Sequence, residues 1–111
     1  MGEIKIAEVC LEGRFDAANH NQICQELNNT LKEQPQLLLI NLEALDFLDS
    51  RGLSGIISVH NQLKNWNGGL AILCPPGQVR DIFNLTNVSR LVEIFDSRAQ
   101  VEILINKIRD S

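Results

Sequence analysis

Ile4, Ile6, Val9, Leu11 and Phe15 alternate with polar neighbours at the spacing of a half-buried strand. The parity changes between Ile6 and Val9, which predicts a bulge or a tiny hairpin near Ala7-Glu8. From residue 17 to residue 32 the period lengthens. His20, Ile23, Cys24, Leu27 and Leu31 then fall on one helical face, with Asp16 as the expected N-cap and Pro35 beyond the end. Residues 37–42 form a nearly unbroken aliphatic run, the signature of a strand covered on both faces.

A second helix is expected over residues 50–66, stopped by Asn67-Gly68-Gly69. Leu53, Ile56, Ile57, Val59, Leu63 and Trp66 spread round a wide arc of it, so it should be well buried. A buried strand follows over residues 70–74 and is broken by Pro75-Pro76. Val79, Ile82 and Phe83 then mark one face of a short helix, and residues 91–95 read as a further strand. Val101, Leu104, Ile105 and Ile108 recur at i, i+3, i+4 and i+7 of a last helix capped by Asp96 or Ser97. Strands that alternate with helices imply crossover connections. The predicted class is α/β, with about four strands in a mixed, largely parallel sheet and about four helices.

A chain of 111 residues, 44% of them hydrophobic, has material for one packed core and too much apolar content for disorder. One domain over residues 1–111 is therefore expected, without repeat or linker. The formal charge is −4 and the basic residues are scattered, which argues against nucleic acid as a partner. Four Phe, one Trp and no Tyr leave little for base stacking. No apolar stretch approaches the roughly 20 residues that span a bilayer, and residues 1–5 lack the features of a secretory signal. A cytoplasmic protein is expected, with no membrane role. Cys10, Cys24 and Cys74 are odd in number and contain no CxxC pair, so buried, reduced thiols are expected and no metal site. With no large exposed apolar face in the pattern, a monomer is the expectation.

Chemistry concentrates where a strand end meets a helix start. The junction Leu45-Asp46-Phe47-Leu48-Asp49-Ser50-Arg51-Gly52-Leu53 leaves one buried strand and enters one buried helix. It sets Ser50 at or next to the N-cap, with Asp49 before it and Gly52 after it. Helix capping is the ordinary role of such residues, worth about 1 kcal/mol. A helix N-terminus also tolerates a phosphate, because its unpaired N–H groups and partial positive charge face outward. The pattern argues against a hydrolase. Gly52-Leu53-Ser54-Gly55 does not match Gly-x-Ser-x-Gly, and His20 and His60 fall among apolar helix neighbours.

Phe47-Leu48-Asp49-Ser50-Arg51-Gly52-Leu53 resembles the signature of the bacterial anti-sigma factor antagonists of the STAS family, in which an Asp-Ser-x-Gly-Leu segment begins the second helix. Val9-Cys10-Leu11-Glu12-Gly13-Arg14-Phe15-Asp16 resembles the family's strand ending in Gly-x-Leu-Asp. Asn67-Gly68-Gly69-Leu70-Ala71-Ile72-Leu73 resembles its Gly-Gly strand entry, and residues 79–94 resemble its helix carrying Leu-Phe. The likeness spans nearly the whole chain and implies a single STAS-like domain.

The resemblance also implies roles. Ser50 would accept phosphate from an anti-sigma factor that doubles as a serine kinase. Asp49 would shape the acceptor loop, and Asp16 would lie on the neighbouring loop facing the kinase. Arg51, Gly52, Leu53 and Ser54 would form part of the docking surface. The unphosphorylated chain would bind the anti-sigma factor and release sigma, phosphorylation would weaken that complex, and a PP2C-type serine phosphatase would reset it. ATP and Mg²⁺ would belong to the kinase, so this chain would need no cofactor and would not be an enzyme. Two departures stand out, a short N-terminal segment and Arg51 where the family commonly has a small residue. A cation at that place can pair with a phosphate or alter kinase preference. The alternative reading is a non-switching STAS scaffold or small-ligand-sensing module.

Overall fold

In the computed structural model, which describes residues 4–110, four strands alternate with four α-helices. The strands are β1 (Ile6–Phe15), β2 (Leu37–Leu48), β3 (Gly69–Leu73) and β4 (Glu93–Phe95), and the helices α1 (His20–Leu31), α2 (Ser50–Leu63), α3 (Gln78–Leu85) and α4 (Arg98–Asp110). The sheet order is β1-β2-β3-β4, and every neighbouring pair is parallel. The expected mixed component is thus absent among the described residues. Sequential parallel strands require a crossover after each strand.

Alternation along the central strands sorts the core into two layers. Leu38, Ile40 and Leu42 of β2, with Leu70 and Ile72 of β3, face α1, α2 and α3. Leu37 and Leu39, with Ala71 and Leu73, face the Val101 and Ile105 side of α4. Because both sheet faces are covered, the central strands read as aliphatic runs and not as alternation.

The same two-sided burial corrects the expectation of a bulge in β1. Ala7 and Val9 pack on the layer of α1–α3, while Ile6 packs on the α4 layer. The change of parity is a change of face, and it needs no extra residue. Irregularity occurs instead on the partner strand. Cys10 pairs with Asn41 but Glu12 with Ala44, and Gly13 pairs with Leu45 but Arg14 with Phe47. Each step inserts one additional residue into β2. Past Asn41 its buried positions are therefore Leu42, Leu45 and Leu48, three apart. That spacing hid residues 43–48 from a period-2 reading, which ended the strand at residue 42.

Other boundaries moved for local reasons. Asp16 is not the N-cap of α1; the chain makes a further turn through Ala17 and Ala18, and Asn19 occupies the cap position. The end of the second predicted helix tightens into a 3-10 turn at Lys64–Trp66 before Asn67 takes a left-handed conformation. A 3-10 turn at Val88–Arg90 delays the last predicted strand, leaving β4 three residues long. Cys74 is buried and Cys24 partly so, but Cys10 is exposed, contrary to expectation. It lies on the side of β1 opposite α1–α3, where Ile6 is the β1 residue packed in the α4 layer.

Helix α4 is pinned across the sheet by a bidentate ion pair. Arg98 Nη1 donates to Glu8 Oε1 at 2.9 Å and Nη2 to Oε2 at 2.7 Å. That guanidinium is the chief reason the Glu8 carboxyl lies at about 2, well below its ordinary 4.5. A depressed carboxyl stabilises the fold above its unfolded value and loses that contribution as pH falls through the folded value. The stability difference between the parent chain and Arg98→Ala should therefore be full at pH 7 and shrink as pH falls from about 4.5 towards 2, read as urea midpoints along the series. The layering predicts a contrast as well. Ile56→Ala empties a site at 0% exposure and should cost about 3 kcal/mol, whereas Ile103→Ala at 57% exposure should stay within about 0.5 kcal/mol in the same assay.

Candidate functional site

All four strand-to-helix connections leave the same end of a parallel sheet, and two of them touch. Asp49, in extended conformation, caps α2: its Oδ1 accepts from the N–H groups of Arg51 at 2.9 Å and Gly52 at 3.1 Å. Its Oδ2 reaches the other loop and accepts from Ala17 N–H at 3.2 Å. The Asp49 N–H donates to the Phe15 carbonyl at 3.3 Å. One residue thus closes the first turn of α2 and fastens it to the end of β1.

Packing beneath this turn requires two glycines. A Cβ on Gly52 would stand 2.4 Å from the Phe15 carbonyl oxygen and 2.5 Å from Leu48 Cδ1. At Gly55 it would stand 2.8 Å from Phe15 Cζ. Helix α2 therefore lies directly on the end of β1, over a Phe15 ring of 0% exposure. The recess that Gly55 lines with Cys24, Leu27 and Val59 measures about 60 Å³. The crevice flanking the loop, between Leu42, Leu45, Asp46 and the Pro75-Pro76-Gly77 turn, measures about 250 Å³. That is below the roughly 300 Å³ at which small-molecule sites begin.

The loop after β1 is organised by Asp16. Its Oδ2 accepts from Arg14 Nε at 2.8 Å and its Oδ1 from Ala18 N–H at 3.0 Å. Asn19 closes the turn, accepting from Asp16 N–H and donating from Nδ2 to the Arg14 carbonyl at 2.7 Å. The Arg14 guanidinium is the leading cause holding the Asp16 carboxyl below its ordinary value.

The predicted site residues therefore divide. Ser50, Arg51 and Ser54 are exposed on the first turns of α2. Ser50 is the first helical residue, and among the described residues its hydroxyl has no hydrogen-bond partner. Gly52, Leu53 and Asp16 are buried, and Asp49 is half-buried. Gly52, Leu53 and Asp16 thus lie beneath the exposed Ser50, Arg51 and Ser54. The structure does bring the Asp16 loop against Asp49, through Ala17.

Sequence reasoning gave no separate weight to the Arg14–Phe47 pair. Phe47 is 42% exposed, and the Arg14 guanidinium carbon lies 4.6 Å from its ring centroid. The two are partners in the β1–β2 register only because of the second extra residue in β2. No local pattern could have announced the contact. Among the described residues no helix is long and apolar enough to cross a membrane, and no group of three His, Cys, Asp or Glu side chains is placed to hold a metal.

A four-stranded parallel sheet with its exposed serine at the entry to a glycine-packed second helix defines a small α/β domain built around one loop-borne surface. The STAS domain family profile matches residues 5–101, and the chain belongs to that family. BtrV of Bordetella bronchiseptica, whose name proposes an anti-sigma factor antagonist, is 27% identical over 89 residues, 80% of this chain and 77% of its own. Among solved structures, an anti-sigma factor antagonist from Mycobacterium paratuberculosis superposes with a TM-score of 0.84 at 18% identity, covering 96% of this chain and 90% of that one. The anti-sigma factor antagonist SpoIIAA in its unphosphorylated form gives 0.70 at 21% identity, covering 98% and 94%. The Bacillus SpoIIAA structure in the phosphorylated form gives 0.67 at 18%, covering 94% and 95%.

The double engagement of Asp49 makes a local prediction. Asp49→Ala removes three accepted hydrogen bonds and should lower stability by about 1.5 kcal/mol. Gly52→Ala should cost at least as much through overlap with Phe15 and Leu48, despite alanine's better helix propensity. Urea unfolding of both variants checks the pair; a Gly52→Ala chain as stable as the parent would overturn the close-packing account.

Proposed function

We propose that this chain is an anti-sigma factor antagonist-like phosphoswitch with Ser50 as the phosphate acceptor. The observation that carries the reading is the Ser50 hydroxyl, exposed and unpartnered among the described residues on a turn that Asp49 already holds in place. Family membership supports it, as do the names of BtrV and SpoIIAA and the existence of SpoIIAA in both phosphorylated and unphosphorylated forms.

In this reading the unmodified chain binds, in the cytoplasm, an anti-sigma factor that is also a serine kinase, and the bound sigma factor is released. The kinase supplies ATP and Mg²⁺. Ser50 Oγ attacks the γ-phosphorus, the hydroxyl proton is lost, and ADP leaves. The product carries roughly −1.5 to −2 added charges at the helix entry. Such a group is compatible with the fold, because α2 presents its N-terminal N–H groups and the positive end of its dipole there. It opposes docking by bulk and by charge. Hydrolysis of the phosphoester by a PP2C-type serine phosphatase restores the hydroxyl. Partner contact falls to Ser50, Arg51 and Ser54, with Asp49, Gly52, Leu53 and Asp16 beneath them.

The test is phosphorylation by the serine-kinase anti-sigma proteins of the same organism, mapped by mass spectrometry, with Ser50→Ala and Ser50→Asp alongside. Phosphate is expected on Ser50, absent in the Ala variant, and the Asp variant should bind the partner about tenfold more weakly. Failure of every kinase to modify Ser50, with unchanged partner binding in both variants, would remove the switch and leave a STAS scaffold or ligand-sensing module.

A further inference from the structure

The first turn of α2 carries a cation that helix stability does not explain. Arg51 is the second residue of the helix and is exposed. A positive side chain there faces the positive end of the helix dipole, which is mildly unfavourable. The acid nearest to it along the chain, Asp49, does not compensate it. Both Asp49 oxygens are turned onto backbone N–H groups, Oδ1 to Arg51 and Gly52 and Oδ2 to Ala17. Among the described residues the Arg51 guanidinium makes no hydrogen bond or ion pair. The guanidinium at the end of β1 is already committed, since Arg14 pairs with Asp16 and lies over Phe47. A chain of net charge −4 therefore presents one unpaired guanidinium next to one unpaired hydroxyl.

We propose that Arg51 is the built-in counter-charge of the switch, unpaired in the unmodified chain and paired with the phosphate once Ser50 carries one. Consecutive helical side chains diverge, but the long arginine stem and its five donors let the head group fold back over the helix entry, where a phosphate on the first residue sits. An arginine–phosphate pair is charge-assisted and can be bidentate, which a lysine point charge does not reproduce. The consequence lies in the charge left exposed. Asp49 and Arg51 make the turn formally neutral before modification; with the pair formed, the guanidinium offsets one of the roughly 1.5 to 2 negative charges the phosphate adds, and it is no longer available to a partner. The proposal rests on Ser50 being the acceptor, but the pairing can be measured without any kinase.

Phosphoserine is placed at position 50 of the full chain during translation, in the parent sequence and in Arg51→Ala and Arg51→Lys backgrounds. The second ionisation of the phosphate is then followed by ³¹P NMR against pH. The parent arginine should hold that ionisation about half a unit lower than the Arg51→Ala background does, with Arg51→Lys restoring part of the difference. The difference should collapse at about 1 M salt, as an exposed pair requires. Urea midpoints of the unphosphorylated variants, expected to be unchanged or slightly raised, show that folding is intact. Equal ionisation in the parent and Arg51→Ala phosphoproteins overturns the pairing. Failure of the acceptor assignment would appear separately, as absence of kinase-dependent phosphate on Ser50.

Discussion

The Asp49 carboxylate lies between two chain segments and binds the backbone of both. Through Oδ1 it starts α2 at the end of β2, and through Oδ2 it holds the loop that follows β1. Both oxygens act on backbone donors, so none of these three bonds uses a side chain of the loops it joins. The arrangement works only because α2 approaches the end of β1 within glycine distance. A Cβ at Gly52 or Gly55 would push the helix off Phe15, and the helix entry would then lift away from the loop. Cap, glycine contact and buried ring are thus one constraint seen from three sides.

From that constraint the division of labour among the site residues follows. Residues that fix the turn are buried or engaged, and residues left over are exposed and free. A partner docking as proposed would meet a small, preformed surface whose backbone is already ordered, so little conformational entropy would be lost. Modification at such a place changes charge and shape without breaking any of the hydrogen bonds that define the turn. This is the physical reason a hydroxyl at the first helical position suits a reversible switch better than one inside a loop.

Charge placement reinforces the separation. Glu8 and Arg98 bind α4 to the sheet on the face away from the site, and Arg80 with Asp96 ties α3 to the connection after β4. Arg14 is held by Asp16 at the loop itself. These pairs use the local charges for architecture. Arg51 is the exception on the helix entry, and its lack of an acidic partner is what distinguishes this surface from an ordinary capped turn.

The alternation and helical periods of the chain were enough to set out four strands, four helices and an α/β class, because each buried stripe repeats at the period of its own element. Asp-Ser-x-Gly-Leu was readable for the same reason: a cap and a close-packed glycine are local requirements written in adjacent residues. Where the pattern misled, the cause was non-local. The parity change at Ile6 and Val9 recorded two helical layers on opposite faces of β1, and the three-residue spacing of Leu42, Leu45 and Leu48 recorded extra residues set by pairing with β1. Asp16 looked like a cap, yet its carboxylate serves Arg14 and Ala18, a choice made by the turn that Asn19 closes. Sequence by itself determined the elements and the residue at the helix entry, since those depend on neighbours along the chain. Tertiary structure decided that Asp49 joins two loops, that Gly52 and Leu53 lie beneath the surface, and that Arg51 is left unpaired, since each depends on which distant groups arrive within hydrogen-bonding or van der Waals range.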